Sequence, residues 1–279
     1  MRHSPTVRKR RLAAELRRLR ETVGYTVDGA RKALGWSSGR LNHMEAGRSR
    51  PDPSALRDLL NTYEVTDPAR REAILALGRQ SKERGWWDTY SDVLPDSYIG
   101  FEAEASTIST FQPIVIPGLL QTADYAAMSA RAALARSDAE INRIVAARME
   151  RQEILAGEDA PDLHAVVAEE ALIRLCSTDQ GLARQQISYL IEIAESLNTI
   201  TVQIHPQSSG MHAATFGAMV ILDYSDERDP SLVYIETRAE GLYLEEPAYV
   251  TGYRQAFEHV AMDALSQAGS IDLMKNLIR

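Results

Sequence analysis

"TVDGARKALGWSSGRLNHMEAGRSRPD" runs from Thr26 to Asp52. Thr26 can cap a short helix in which Val27, Ala30 and Leu34 share one face, and Gly35 stops it. After a tight turn, Ser37 caps a second helix that reaches about Ala46, with Leu41 and Met44 turned inward and Gly47 as its stop. Residues four apart stack on one side of a helix, so the face opposite Leu41 and Met44 carries Ser38, Gly39, Asn42 and His43. Arg40 lies at the edge of that face, and Arg48 and Arg50 follow in the next loop.

Upstream, "VRKRRLAAELRRLRETV" (Val7–Val23) places Leu12, Leu16, Leu19 and Val23 on one helical face, and Gly24 ends it. Downstream, "RPDPSALRDLLNTYEV" buries Leu56, Leu59, Leu60 and Tyr63 along a fourth helix. Asp67 and Pro68 open a fifth, in cap and first-turn positions. Three short helices with a Gly-containing turn before the third describe a helix-turn-helix unit, whose third helix enters the major groove of DNA. Ser37, Ser38, Asn42 and His43 are short polar groups able to reach base edges, and Asn pairs bidentately with adenine. Gly39 inside a helix costs about 0.5–1 kcal/mol relative to Ala, a cost that close approach to DNA explains. Arg40 reaches either guanine or phosphate; Arg48 and Arg50 are placed for phosphates.

The charge is distributed to match. Residues 1–51 carry 13 Lys/Arg against 4 Asp/Glu, a net of +9, while the rest of the chain carries 18 against 35, a net of −17. A basic head on an acidic body implies that the head alone meets a polyanion.

Past Gly85 the texture changes: "GWWDTYSDVLPDSYIGFEAEAS" is aromatic and acidic. The domain junction is placed there, giving an all-α helix-turn-helix domain over 1–85 and a larger regulatory or partner-binding domain over 86–279. Helical spacing is read at 98–111, 122–135, 137–156, 180–197 and 246–266, and strands in "DLHAVVAEEAL" and "ITVQIHP". "GAMVILDY", "SLVYIE" and "LYLEE" read as a small antiparallel meander. The expected fold class is α+β, with a small, mostly antiparallel sheet. Trp86, Trp87, Tyr90, Tyr98 and Phe101 read as an aromatic cluster at the junction. Two readings of it stand: core packing, or an effector or partner surface at Trp86, Trp87 and Tyr90.

Catalytic signals are weak. His164, Glu169 and Glu170 are close in sequence and read as a strand end and helix start; His205 and His212 flank "PQSSGM" without an evident third ligand. No Gly-x-Ser-x-Gly elbow and no phosphate-cradling Gly loop occurs. The single Cys176 reads as a small buried hydrophobe and excludes an internal disulfide. Neither a signal peptide nor an apolar run of about 18 residues is present. These readings predict a cytoplasmic, nucleoid-associated protein that is not an enzyme, with no metal, no cofactor and no membrane partner.

The Thr26–Asp52 stretch resembles the Xre-type (Cro/repressor-like) helix-turn-helix, marked by a Ser-capped recognition helix ending in Glu-x-Gly, then basic residues and Pro. Glu45, Gly47 and Pro51 carry that mark. The resemblance implies that Glu45 pairs with Arg20 on the first helix, as structural residues. Trp36, Gly39 and His43 depart from the usual pattern, which leaves the operator sequence open. "RGWWDTYSDVLPDSYIGFEAEASTISTFQPIVIPGLLQTADYA", with "RQEILAGEDAPDLHAVVAEEALIR", "ITVQIHP" and "LVYIE", resembles the large C-terminal domain of actinobacterial regulators of the WhiJ type. That resemblance covers about residues 5–266 and implies transcription regulation beside a small acidic partner protein. One recognition helix is a small contact, so a homodimer on a two-fold operator is expected. An apolar seam such as Ile187, Leu190, Ile191 and Ala194 is expected to hold it. An antitoxin-like protein whose body mainly binds the acidic partner, and an enzyme tethered to DNA, are the alternatives. An effector small molecule, if the body senses one, is not specified by these residues.

Overall fold

Gly24, Gly35 and Gly47 sit at φ 78°, 66° and 65° and end three successive helices in one way. The N–H after each glycine bonds back across the turn: Tyr25 to the Arg20 carbonyl at 3.1 Å, Trp36 to Arg31 at 2.9 Å, Arg48 to His43 at 2.8 Å. This closure needs a left-handed residue, a conformation glycine adopts without a Cβ clash. The computed structural model describes residues 5–49, 51–83, 85–93, 96–133, 137–237 and 241–279. It resolves into two compact units, Met1–Asp88 and Thr89–Arg279.

The first unit holds α1 (Pro5–Thr22), α2 (Val27–Leu34), α3 (Ser38–Glu45), α4 (Pro53–Thr62) and α5 (Pro68–Gln80). Thr26 caps α2 by accepting the Gly29 N–H, while Asp52 and Asp67 cap α4 and α5, each followed by proline in the first turn. Ser37 occupies the N-cap position of α3, yet its side chain makes no capping hydrogen bond, contrary to the sequence expectation. The helix is retained by burial: Leu41 is fully buried and Met44 nearly so, packed with Leu12, Leu16, Leu19, Leu56, Leu59, Leu60 and Tyr63. After α4 the same closure recurs, Val65 N–H to the Leu60 carbonyl at 3.0 Å. There the left-handed residue is Glu64, at φ 54°.

The second unit is built on six strands: β1 (Thr107–Gln112), β2 (Asp162–Ala168), β3 (Ile200–His205), β4 (Met219–Asp223), β5 (Leu232–Glu236) and β6 (Gly241–Leu244). Their order is β3-β2-β1-β4-β5-β6. β1, β2 and β3 are parallel neighbours, and β1-β4-β5-β6 are antiparallel. The unit is α+β, but the sheet is mixed, not a small and mostly antiparallel one. The meander that the sequence suggested is β4-β5-β6; the parallel half was not foreseen. β1 itself lies inside a stretch read as helical, because its four central residues are buried and the polar–apolar alternation of a half-exposed strand is missing.

Helices cover the sheet: α6 (Asp96–Glu102), α7 (Ala123–Ala132), α8 (Asp138–Gln152), α9 (Glu169–Thr178), α10 (Gln180–Ser196), α11 (Pro247–Asp263) and α12 (Gln267–Leu277). α11 brings Val250, Phe257 and Val260 onto the face formed by Phe111, Val166, Met219, Ile221 and Val233. The opposite face presents Ile108, Thr110, Leu163 and Val220, which pair in register across β2-β1-β4. α12 closes the β3 edge, where the Ile204 N–H donates to Ser270 Oγ at 2.8 Å and the Leu265 N–H reaches the Ile204 carbonyl at 2.9 Å. Ile187, Leu190, Ile191 and Ala194 of α10 are buried in this unit. They are core residues and leave no seam for a second copy, so a dimer would have to use other surface.

Candidate nucleic-acid interface

Leu41 and Met44 point α3 inward, and this fixes what it turns outward. Gly39, Arg40, Asn42 and His43 are exposed, as are Ser37 before the helix and Arg48 after it. Ser38 opens α3, with its side chain outside the described part; Arg50 lies outside the described residues. A Cβ built on Gly39 would meet nothing within 4 Å, and Gly39 has no positive φ. Nothing inside the protein therefore calls for glycine at 39, or for the unused Ser37 hydroxyl.

The cations around this face are mostly neutralised. Asp28 binds Arg31 and, at 2.9 Å, Lys32, and those two bonds hold its carboxyl below the usual range. Arg40 stacks over the Trp36 ring at 4.2 Å and reaches Asp52 at 3.4 Å. Trp36 thus holds the Arg40 guanidinium against the turn instead of leaving it to swing. Among the described Lys and Arg residues of α2, α3 and the following turn, Arg48 is the one without an ion-pair partner. Among these described cations, Arg48 is therefore the one whose charge is left for phosphate.

Arg20 and Glu45 meet as the resemblance implied. Arg20 Nε donates to both carboxylate oxygens, at 2.9 and 3.0 Å, and their side chains are 8% and 7% exposed. Arg20 Nη1 also donates to the Tyr25 carbonyl at 2.7 Å, and the Tyr63 hydroxyl reaches Glu45 at 3.3 Å. The Arg20–Glu45 pair ties α1, the turn before α2, the end of α3 and the end of α4. Desolvation, then Glu45, pushes the Tyr63 phenol far above its ordinary range, so it stays a donor.

The aromatic residues near the junction go to separate partners. Trp86 and Trp87 pack edge-to-face at 5.9 Å in the first unit, with Trp87 buried. In the second, Tyr90 donates to Glu150 at 2.9 Å under Arg143, while Tyr98 packs on Tyr234 and Phe101 on Tyr243. His164 bonds Gln203 and packs on Phe257, and Glu169 accepts the Gln207 N–H at 2.9 Å, so the two serve different neighbours. His205 and His212 come together at 4.4 Å against Phe111. Burial, then His212, holds the His205 imidazole below its ordinary range. Among the described residues no group of three His, Cys, Asp or Glu side chains is arranged to hold a metal ion. None of their helices is long and apolar enough to cross a membrane.

Sequence reasoning missed a charged cluster inside the second unit. Arg151 of α8 pairs with Glu102 of α6, which also accepts the Tyr98 hydroxyl at 2.6 Å. Arg148, one turn earlier, donates to Gln121 at 2.6 Å. The signal was present: Ile144, Arg148, Arg151 and Leu155 follow one helical stripe, so two arginines lie on the inward face.

The geometry of α2, turn and α3 defines a DNA-binding helix-turn-helix, and residues 11–74 match the family described as Helix-turn-helix domain. Residues 95–276 match the family described as Domain of unknown function (DUF5753), and the chain belongs to that family. No curated protein and no solved structure matches the chain.

Proposed function

We propose that the chain is a sequence-specific transcription regulator that lays α3 in the major groove of a double-stranded operator. The observation that supports this most is α3 itself. It is anchored from behind by Leu41 and Met44, and it keeps two features that weaken it without return inside the protein: an unused cap at Ser37 and an unconstrained Gly39. Local rules are broken in this way chiefly at functional sites. Asn42 and His43 read base edges, Gly39 admits close approach, and Arg48 binds phosphate. Arg40, steadied by Trp36, reaches whichever base or phosphate its position allows. The acidic remainder of the chain stays off the DNA.

The finer parts of the reading follow from this. The protein works as a homodimer on an inverted repeat with half-sites about 34 Å apart. Its C-terminal unit senses an effector or docks a partner and carries out no reaction, and it resides with the nucleoid in the cytoplasm. The likeness to actinobacterial WhiJ-type regulators, with their small acidic partner, supports this reading.

The test is selection of a binding sequence from random duplexes, followed by competition against unselected DNA. Asn42→Ala should lose about 1–3 kcal/mol of discrimination. Arg48→Ala should weaken all sequences alike and reduce the salt slope by about 1. Failure to select any sequence, or an equal loss on all sequences for Asn42→Ala, would overturn the reading. Footprints without two-fold symmetry would remove the dimer.

A further inference from the structure

Between α6, α7, α8 and the sheet face that carries Ile108, Thr110 and Val220 lies a cavity of about 370 Å³. Ligand pockets run from roughly 300 to 1,000 Å³, so this one has the size for a small organic molecule. At about 30 Å³ per water it would otherwise hold about a dozen waters.

Two arginines line it, in opposite circumstances. Arg151 is paired with Glu102 and lies over the Tyr98 ring at 5.1 Å. Arg148 has no carboxylate within ion-pair distance among the described residues; its hydrogen bond goes to the neutral amide oxygen of Gln121. That amide is itself fixed. Gln121 is 3% exposed and donates its Nε2 to the Ile116 carbonyl at 2.7 Å, and its own carbonyl accepts Gln152 Nε2 at 2.7 Å. Arg148 is thus held in place by a partner that does not neutralise it. Burial, then Arg151, pulls its guanidinium below the ordinary range, while Glu236 acts the other way. A guanidinium drawn into a wall with no carboxylate in direct contact is costly unless an anion comes to it.

We propose that this cavity binds a small apolar monocarboxylic acid, with the carboxylate on Arg148 and the hydrocarbon or aromatic part against Ile99, Ile108, Ile116 and Ile144. A guanidinium pairs well with carboxylate or phosphate. The choice between them comes from the other walls, where Glu102 and Glu236 also line the space. With Arg151 and Glu102 paired, Arg148 faces the space beside Glu236, and that carboxylate opposes a dianion more strongly than a monoanion. Ile99, Ile108, Ile116 and Ile144 give the lining an aliphatic part beside Thr110, Gln112 and Ser129, and the Tyr98 and Tyr234 rings pack tilted at 4.1 Å, which suits an apolar skeleton.

This assigns an effector site to the proposed regulator, but its test needs no DNA. The full chain is titrated calorimetrically with octanoate and 4-phenylbutyrate, and in parallel with 1-octanol and 4-phenyl-1-butanol. At least one acid should bind saturably, one per chain, about tenfold or more tighter than its alcohol, the scale of one charge-assisted hydrogen bond. Arg148→Leu should remove that preference and leave alcohol binding unchanged; Arg148→Lys should restore part of it. Absence of saturable binding by both acids, equal affinity for acid and alcohol, or an undiminished preference in folded Arg148→Leu overturns the proposal. Should Arg148→Leu fail to fold, the acid–alcohol difference in the unaltered chain and its reduction in Arg148→Lys decide. Adding the acid to an operator-binding assay is a separate arm. No effect there alongside intact binding would count against sensing and leave the site standing.

Discussion

Each unit of this protein holds a buried arginine against a glutamate, and the two pairs are finished differently. In the helix-turn-helix unit, Arg20 and Glu45 are sealed among α1, α3 and α4, with a backbone carbonyl and a tyrosine hydroxyl completing the bonds. In the second unit, Arg151 and Glu102 border a cavity, and their neighbour Arg148 is left with a neutral amide. A pair with its partners supplied from inside positions helices. A cluster with one cation unmatched and space beside it is arranged for something from outside. Burial of charge alone does not separate these cases; the completeness of the hydrogen bonding and the presence of room do.

The largest effect expected from this contrast is on Glu45→Ala. It leaves the Arg20 guanidinium, 8% exposed, with the Tyr25 carbonyl and a 3.4 Å contact to Glu21, and removing one partner of a buried pair costs about 3–5 kcal/mol. Denaturant unfolding of the full chain should show the helix-turn-helix transition moved by that amount, with DNA binding lost on all sequences alike. Glu102→Ala should cost less, about 1–3 kcal/mol, because water in the cavity can solvate the stranded Arg151. If Glu102→Ala proves the more damaging of the two, the distinction between a sealed and a vented pair fails.

Smaller effects sharpen the functional side of the first unit. Gly39→Ala adds a methyl into open space and should stabilise α3 by about 0.5–1 kcal/mol. The same substitution should weaken operator binding, read as a higher melting temperature beside a lower affinity. A rise in both would show that position 39 is not a point of close approach. Smallest is Glu64→Gly, which relieves a left-handed residue at the end of α4 and should stabilise by about 0.5 kcal/mol after the entropy glycine gains on unfolding. It should leave DNA affinity unchanged, since Glu64 belongs to the fold and not to the exposed face of α3.

The first unit was largely legible because its information is local. Caps at Thr26, Asp52 and Asp67, stops at Gly24, Gly35 and Gly47, and a 3.6-residue apolar spacing each act within a few residues. Ser37 is the instructive miss: the residue type predicts a cap, and the side chain does not make the bond. In the second unit the decisive relations are distant. β1 has no alternation because both its faces are covered, and its neighbours β2 and β4 come much later in the chain. Local patterning suggested β4-β5-β6, whose strands are joined by short connections, but not the parallel half, which depends on crossovers. α12 escaped because Gly269 and Ser270 dilute its apolar stripe, though Met274 and Ser270 are its buried residues. Arg148 and Arg151 carried no local signal of their partners, because Glu102 and Gln121 come from other elements.

The position of β1 has a consequence during synthesis. The helix-turn-helix unit has all its residues once Asp88 has emerged, whereas β1 reaches its antiparallel neighbour only when Asp223 has been made. At translation rates of roughly 5–20 residues per second, about 7–30 s separate the two events. Through that interval the nascent chain carries a finished DNA-binding end and a β-strand rich in buried positions with one side unpaired. The ribosome, not the finished fold, sets how long that edge must be kept from other chains.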